Sequence, residues 1–319
     1  MKSPRSLSQF LFVACGILTI SATEARAIGI WHRDYASAMN EARTEKKKLL
    51  IVFTGTDWIE ICGKFYDEIL GDPAFIDTVT AKFALLKLEY PKDSVLPREE
   101  AAQKAVLREA YRVRGFPTVV LSDAAGRPFG LNGYQPLSPK EYGEQILSIN
   151  AVRDESLELV KKAAELSGAE KAKGLSRAIP DLPGALVVRF YRPEIEAVLA
   201  ADPEDTLKLA GPFRKLLAEA DYSREIQQLA RESKWTEMIA VTDRHIASQK
   251  LEGEPLQGAL LNRAGFERRA GKPEEAKTTL REIVAIDAQS ATGEEAVRLL
   301  KSGETPAAAV EPTQARPVE

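Results

Sequence analysis

In its first half, the sequence alternates short apolar runs with segments of helical periodicity. Residues 49–53 (LLIVF) contain no polar break, which is typical of a strand buried on both faces of a sheet. Residues 83–90 (FALLKLEY) and 118–122 (TVVLS) are two further strand candidates. Residues 128–134 follow a turn at 123–126, so we expect them to pair back as an antiparallel edge strand. The pattern predicts an α/β domain with a mixed sheet that is covered by helices on both faces.

Beyond Gly168 the strand signals nearly vanish. Residues 169–303 are rich in Ala, Leu, Glu, Lys and Arg, and proline and glycine divide them into helix-length segments. Within them, residues 259–287 resemble one tetratricopeptide unit, with small residues such as Ala264 and Ala276 where two helices approach closely. The sequence therefore predicts an all-α second part, built either as a helical-repeat domain or as an irregular helical bundle.

The length and composition limit the classes of protein to consider. A chain of 319 residues is longer than one compact core usually serves, so we expect two domains. We place them at 28–152 and 153–303, followed by a disordered tail at 304–319 that lacks any hydrophobic period. The formal net charge of −3 argues against a nucleic-acid-binding protein. Both cysteines and both histidines would be needed for one four-ligand zinc site, so we predict no metal and no cofactor.

The N-terminus has the pattern of a secretory signal. Lys2 and Arg5 precede an apolar stretch at 10–20 that is too short to span a bilayer. The sequence Ala-Arg-Ala at 25–27 then favours cleavage before Ile28. We therefore expect 1–27 to be a signal peptide and the mature protein to be exported, either to a periplasm or to the exterior.

The two cysteines bear on both anchoring and oxidation. Lipid attachment at Cys15 is an alternative to cleavage before Ile28, although the apolar run continues past this cysteine. Removal of 1–27 leaves Cys62 as the only cysteine of the mature chain, which then cannot form a disulfide with itself. No later stretch is long and apolar enough to predict a membrane span.

Three short motifs occur in a fixed order along the first domain. Residues 53–58 (FTGTDW) lead into a predicted helix that contains Cys62, residues 114–118 (RGFPT) precede a strand, and a Gly-Arg-Pro hairpin ends at Gly133. Together they resemble the thioredoxin family over about 34–150, particularly exported members with a Gly-Ser/Thr-Asp-Trp turn. The resemblance implies a thioredoxin-like fold for this domain.

The resemblance also implies a redox site at the start of the helix that follows Trp58. Family members use a cysteine at the helix N-terminus to attack a disulfide, and a second cysteine three residues on resolves the product. Here Ile59 stands at the first position and Cys62 at the second. Because isoleucine cannot ionise, we predict a degenerate site and no dithiol oxidoreductase activity. The resemblance further implies a cis peptide bond before Pro117, beside this site.

Cys62 then admits two interpretations. It is either a small buried residue without chemistry or a monothiol that forms a mixed disulfide with a partner. In both cases Trp58, Ile59, Phe116 and Pro117 would form an apolar rim for an extended peptide. We therefore expect a non-catalytic module that binds or scaffolds a peptide or protein partner. The alternative is a thiol-disulfide oxidoreductase or monothiol redox protein that acts through Cys62.

Overall fold

The computed structural model describes residues 31–304. The predicted signal peptide at 1–27 lies outside this range, and so does the predicted tail from residue 305 onward. The chain divides into two compact units, with the boundary between Glu155 and Ser156.

The first unit contains a five-stranded mixed sheet. Its strands are β1 (Trp31–His32), β2 (Lys48–Thr54), β3 (Phe83–Glu89), β4 (Thr118–Ser122) and β5 (Pro128–Asn132). The spatial order is β1-β3-β2-β4-β5, in which β3 is parallel to β1 and β2, whereas β4 is antiparallel to β2 and to β5. The predicted α/β architecture with an antiparallel edge hairpin is confirmed. β1 was not anticipated, because a strand of two residues carries no periodicity.

The position of β2 explains its composition. It pairs with β3 on one side and with β4 on the other, and it is buried from Leu49 to Thr54. Every apolar side chain in the run therefore contacts a covered face of the sheet. As in other parallel pairs, the carboxyl ends of β2 and β3 meet at the same edge, where the candidate site lies.

Five helices accompany the sheet in this part of the chain. They are α1 (Tyr35–Thr44), α2 (Glu60–Phe65), α3 (Pro73–Val79), α4 (Arg98–Ala110) and α5 (Pro139–Ala163). The predicted helix that contains Cys62 is only 6 residues long, because α2 is followed by a π-helical turn, Tyr66–Leu70. The Gly71 N–H donates to the Tyr66 carbonyl at 2.8 Å, and a Cβ on Gly71 would lie only 3.1 Å from that oxygen. A glycine therefore suits the wide turn.

The described residues of the second unit form helices joined by turns and loops. Its helices are α6 (Gly168–Ser176), α7 (Gly184–Ala201), α8 (Ala210–Arg231), α9 (Trp235–Gln249), α10 (Gly253–Arg269), α11 (Pro273–Ile286) and α12 (Ala291–Ser302). Ala264 and Ala276 are fully buried in one apolar cluster formed by α10, α11 and α12. The predicted helical region is confirmed, whereas its classification as a tetratricopeptide repeat stays a prediction.

A buried carboxylate lies among these helices. Glu267 on α10 is 3% exposed, and its Oε2 accepts a hydrogen bond from the Thr279 hydroxyl at 2.8 Å. The Arg263 guanidinium lies 3.5 Å from the other oxygen but is closer to Asp243, at 2.8 Å. Burial raises the pKa of Glu267 above its ordinary value, with the hydrogen bond from Thr279 and the charge of Arg263 opposing the shift.

This raised pKa predicts a pH-dependent stability. A carboxyl that binds its proton more tightly when folded stabilises the fold at acidic pH and loses that contribution as pH rises through its folded pKa. Glu267→Gln keeps an acceptor for Thr279 without a buried charge. We therefore expect it to stabilise the protein by about 1 kcal/mol at about pH 8 and by nearly nothing at about pH 4, in urea unfolding followed at both values. Glu282→Gln, which changes an exposed glutamate on α11, is the control. A variant less stable than the natural protein at the higher pH would contradict the prediction.

Candidate functional site

The turn after β2 is built around a glycine. The N–H groups of Trp58 and Ile59 both donate to the Gly55 carbonyl, at 3.3 and 2.9 Å, which closes the turn before α2. A Cβ at position 55 would lie 2.5 Å from the Trp58 Nε1. The indole thus occupies the space that any other residue at position 55 would need.

Hydrogen bonds tie this turn to the end of β3. The Thr56 N–H donates to Glu89 Oε1 at 2.5 Å, and the Lys92 N–H donates to Asp57 Oδ2 at 3.2 Å. The Trp58 indole N–H donates to the Tyr90 carbonyl at 2.8 Å. Two neighbouring strand ends therefore hold the turn rigidly, as a precise binding surface requires.

Trp58 is held but not buried. Its side chain is 48% exposed, although its polar atom is already satisfied by Tyr90. Its ring meets Phe116 edge-on, with centroids 6.3 Å apart. An indole fixed by a hydrogen bond and a ring contact presents an apolar surface at low entropic cost on binding.

The two positions that correspond to the redox pair differ in environment. Ile59 caps α2 with an extended backbone and is partly buried, whereas Cys62 is 1% exposed. Cys62 is a free cysteine, and it is the only cysteine in the described part of the chain. Ile61, which the sequence reasoning did not single out, is 36% exposed and adds apolar surface in the first turn of α2. The N-cap of α2 thus carries an apolar side chain at the position that corresponds to the nucleophilic cysteine.

The segment before β4 completes the rim. The peptide bond between Phe116 and Pro117 is cis, as predicted. The Phe116 ring stacks on Tyr90 at 4.9 Å, and the Arg108 guanidinium lies over the same ring at 5.3 Å. Of the four rim residues named from the sequence, Trp58 and Phe116 are in direct contact, and each is flanked by its chain neighbour, Ile59 or Pro117.

Sequence reasoning missed Tyr90, Lys104 and Arg108. Lys104 on α4 is 4% exposed, and its Nζ lies 2.6 Å from the Glu89 carbonyl and 2.7 Å from Glu100 Oε1. The Tyr90 hydroxyl donates to the Lys104 carbonyl at 2.8 Å, and burial raises the pKa of Tyr90, so the phenol stays protonated. One signal could have located Tyr90: it directly follows β3, whose carboxyl end adjoins that of β2.

A groove of about 680 Å³ opens next to this rim. It is lined by Tyr90 and Leu96, by α4, and by the segment 112–114. Its size lies within the range of small-ligand and side-chain binding sites.

Residues 31–304 contain no cluster of three or more His, Cys, Asp or Glu side chains that could hold a metal ion. None of the helices within the same range is long and apolar enough to cross a membrane.

Comparison with known proteins identifies the first unit. Residues 35–146 match the family described as thioredoxin-like domain. The chain is similar to the disulfide bond reductase DsbH of Chlamydia pneumoniae, with 26% identity over 157 residues, which cover 44% of this chain and 95% of that protein. It is also similar to the thioredoxin-related protein DsbJ of the same organism, with 29% identity over 113 residues, which cover 35% of this chain and 32% of DsbJ. A solved DsbH oxidoreductase matches with a TM-score of 0.36 and 26% identity, covering 46% of this chain and 94% of that one. The thioredoxin-like domain expected from the sequence is confirmed.

Proposed function

We propose that this protein, which carries a thioredoxin-like domain at residues 35–146, binds an extended segment of a partner protein without exchanging disulfides. The binding surface in this proposal is the rim formed by Trp58, Ile59, Phe116 and Pro117. The helical second part, which we assign to 153–303, would act as a scaffold in the same protein.

The occupant of position 59 carries the proposal. Disulfide exchange at a helix start requires a thiolate that can reach the substrate. Ile59 supplies no thiol, and Cys62 lies one turn further on with 1% of its surface exposed. A partner that approaches this site therefore meets apolar surface rather than a nucleophile.

The two pre-ordered rings of the rim support a binding role. Trp58 and Phe116 are fixed by contacts with Tyr90, so neither needs to be ordered when a partner binds. Tryptophan in a pre-ordered apolar setting is among the residues that contribute most to binding energy. An extended peptide can place its apolar side chains against such fixed rings.

The names of the relatives favour one alternative, thiol-disulfide exchange through Cys62. DsbH is called a disulfide bond reductase. In a monothiol version, the Cys62 thiolate would attack a partner disulfide, form a mixed disulfide and release one partner thiolate. This alternative requires α2 to open, because the sulfur is buried.

Binding to reduced, carboxamidomethylated α-lactalbumin distinguishes the two functions, since this extended polypeptide has no free thiol or disulfide. We expect the protein to bind it, Trp58→Ala to weaken binding about tenfold, and Cys62→Ser to leave binding unchanged. Val106→Ala, which alters an exposed apolar residue of α4 outside the rim, should also have no effect. The natural protein should not accelerate insulin reduction by dithiothreitol.

Two results would contradict the proposal. One is α-lactalbumin binding that is as strong in Trp58→Ala as in the natural protein. The other is insulin reduction that disappears in Cys62→Ser, which would establish the redox alternative.

An exported location is part of the proposal. It is supported by the signal pattern at 1–27 and predicts a mature start at Ile28. In an oxidising compartment, a chain left with Cys62 alone avoids internal disulfides.

A further inference from the structure

The groove beside Phe116 is lined by basic side chains. Lys104 and Arg108 come from α4, and Arg112 and Arg114 follow its end. Glu109 is the one acidic residue among those that line the groove. This local excess of positive charge contrasts with the net charge of −3 of the whole chain.

Two of these cations are not neutralised by a neighbour. Arg112 pairs with Glu109 at 2.8 Å, and Lys104 pairs with Glu100 at 2.7 Å. Neither Arg108 nor Arg114 has a carboxylate within ion-pair distance among residues 31–304. Two of the guanidinium groups that line the groove thus carry a positive charge that is available to a ligand.

Arg108 is oriented before any ligand binds. Its Nε donates to the Val113 carbonyl at 3.2 Å, and its guanidinium lies over the Phe116 ring. These contacts use one N–H and leave the two terminal amino groups for a carboxylate, which a guanidinium can bind in a bidentate manner. Arg114 is exposed and stands three residues before Pro117. Both cations therefore adjoin the apolar rim.

We propose that this groove binds the acidic side chains of the partner segment whose apolar residues contact Trp58 and Phe116. The inference rests on the proposed function and adds the class of partner: an extended polypeptide with Asp or Glu next to its apolar anchor. A nucleic acid fits less well. Tyr90 stacks on Phe116 and Arg108 lies over the same ring, so apolar side chains of the partner meet only the ring edge, whereas a base needs an open face.

The test compares two fluorescein-labelled peptides by anisotropy. Each has a central Leu-Phe pair, flanked by glutamates in one peptide and by glutamines in its twin. We expect the glutamate peptide to bind about tenfold more tightly at about 50 mM salt, and the preference to vanish at about 500 mM salt. Arg108→Gln combined with Arg114→Gln should remove the preference, because it should weaken the binding of the glutamate peptide far more than that of the glutamine peptide.

Three further variants serve as controls. Lys82→Gln with Arg231→Gln removes the same charge at exposed sites outside the groove, and should keep the preference. Arg114→Gln alone alters an exposed side chain, so a smaller loss of preference there excludes misfolding as the cause. Trp58→Ala should weaken the binding of both peptides alike.

The outcomes separate this inference from the proposed function. Equal binding of the two peptides by the natural protein would overturn the inference and leave the rim function standing. Absence of binding by either peptide would overturn both. Displacement of the glutamate peptide by a short oligothymidylate or by inorganic phosphate, at equal concentration, would show a general anion site and overturn the choice of an acidic polypeptide.

Discussion

Ile59→Cys is expected to give the protein disulfide reductase activity that the natural chain lacks. The substitution places a thiol at the N-terminal end of α2, three residues before Cys62. The backbone at position 59 is extended, with φ −116° and ψ 106°, so a cysteine fits without strain. Since the helix dipole favours an anion there, the pKa of the new thiol should fall below the value of about 8.5 for a free cysteine. Cys62 would supply the shielded second sulfur.

Insulin reduction by dithiothreitol measures the gain. We expect insulin reduction in the presence of Ile59→Cys to be at least about tenfold faster than in the presence of the natural protein. The natural protein should give the same reduction rate as buffer alone. Ile61→Cys is the matched control, because it adds the same thiol two positions later and should remain inactive. Ile59→Cys combined with Cys62→Ser should also lose dithiol turnover. Failure of Ile59→Cys to form an intramolecular disulfide under oxidising conditions would mean that residues 58–62 are not a redox turn.

Phe65→Ala is expected to cause the largest loss of stability. Phe65 is fully buried at the end of α2, and its ring lies 5.7 Å from that of Tyr134 and 5.3 Å from that of Tyr142. Truncation removes a buried aromatic side chain and leaves a cavity between rigid neighbours, which costs about 3–5 kcal/mol. Phe65→Leu retains most of the volume and should cost about 1 kcal/mol.

Tryptophan fluorescence can follow this loss in the first unit alone. Of the three tryptophans, Trp31 and Trp58 belong to the first unit, and Trp235 belongs to the second. In a Trp235→Phe background, urea unfolding therefore reports on the sheet and its helices. A loss below about 1 kcal/mol for Phe65→Ala would show that this part of the core can rearrange to fill the cavity.

The sequence predicts the sheet well because its signals are local. The apolar run that became β2 is typical of a covered strand, and the turn at 123–126 predicted the edge hairpin. The rim residues Trp58 and Phe116 followed from the motifs that contain them. Local patterns also explain what was missed at Tyr66–Leu70, since helical periodicity does not distinguish a π-helical turn from an α-helical one.

The groove could not be predicted in the same way. Lys104 lies on α4 among charged residues that suggest a solvated face, yet it is nearly buried because Glu89 and Tyr90 approach it from another element. Arg108 acquires its place over Phe116 through a contact that only the folded chain creates. Charge balance within the groove depends on such long-range neighbours, so composition alone does not reveal it.

The hydrogen bonds that shape the turn after β2 have a consequence for how this protein could have evolved. Thr56, Asp57 and Trp58 are held by Glu89, Tyr90 and Lys92. None of these bonds uses the side chain of position 59 or 62. The residues whose hydrogen bonds support the turn are therefore different from the residues that would take part in thiol-disulfide exchange. A substitution of cysteine by isoleucine at position 59 would therefore leave the turn and the orientation of Trp58 in place, so that loss of catalysis and retention of recognition are compatible within one lineage.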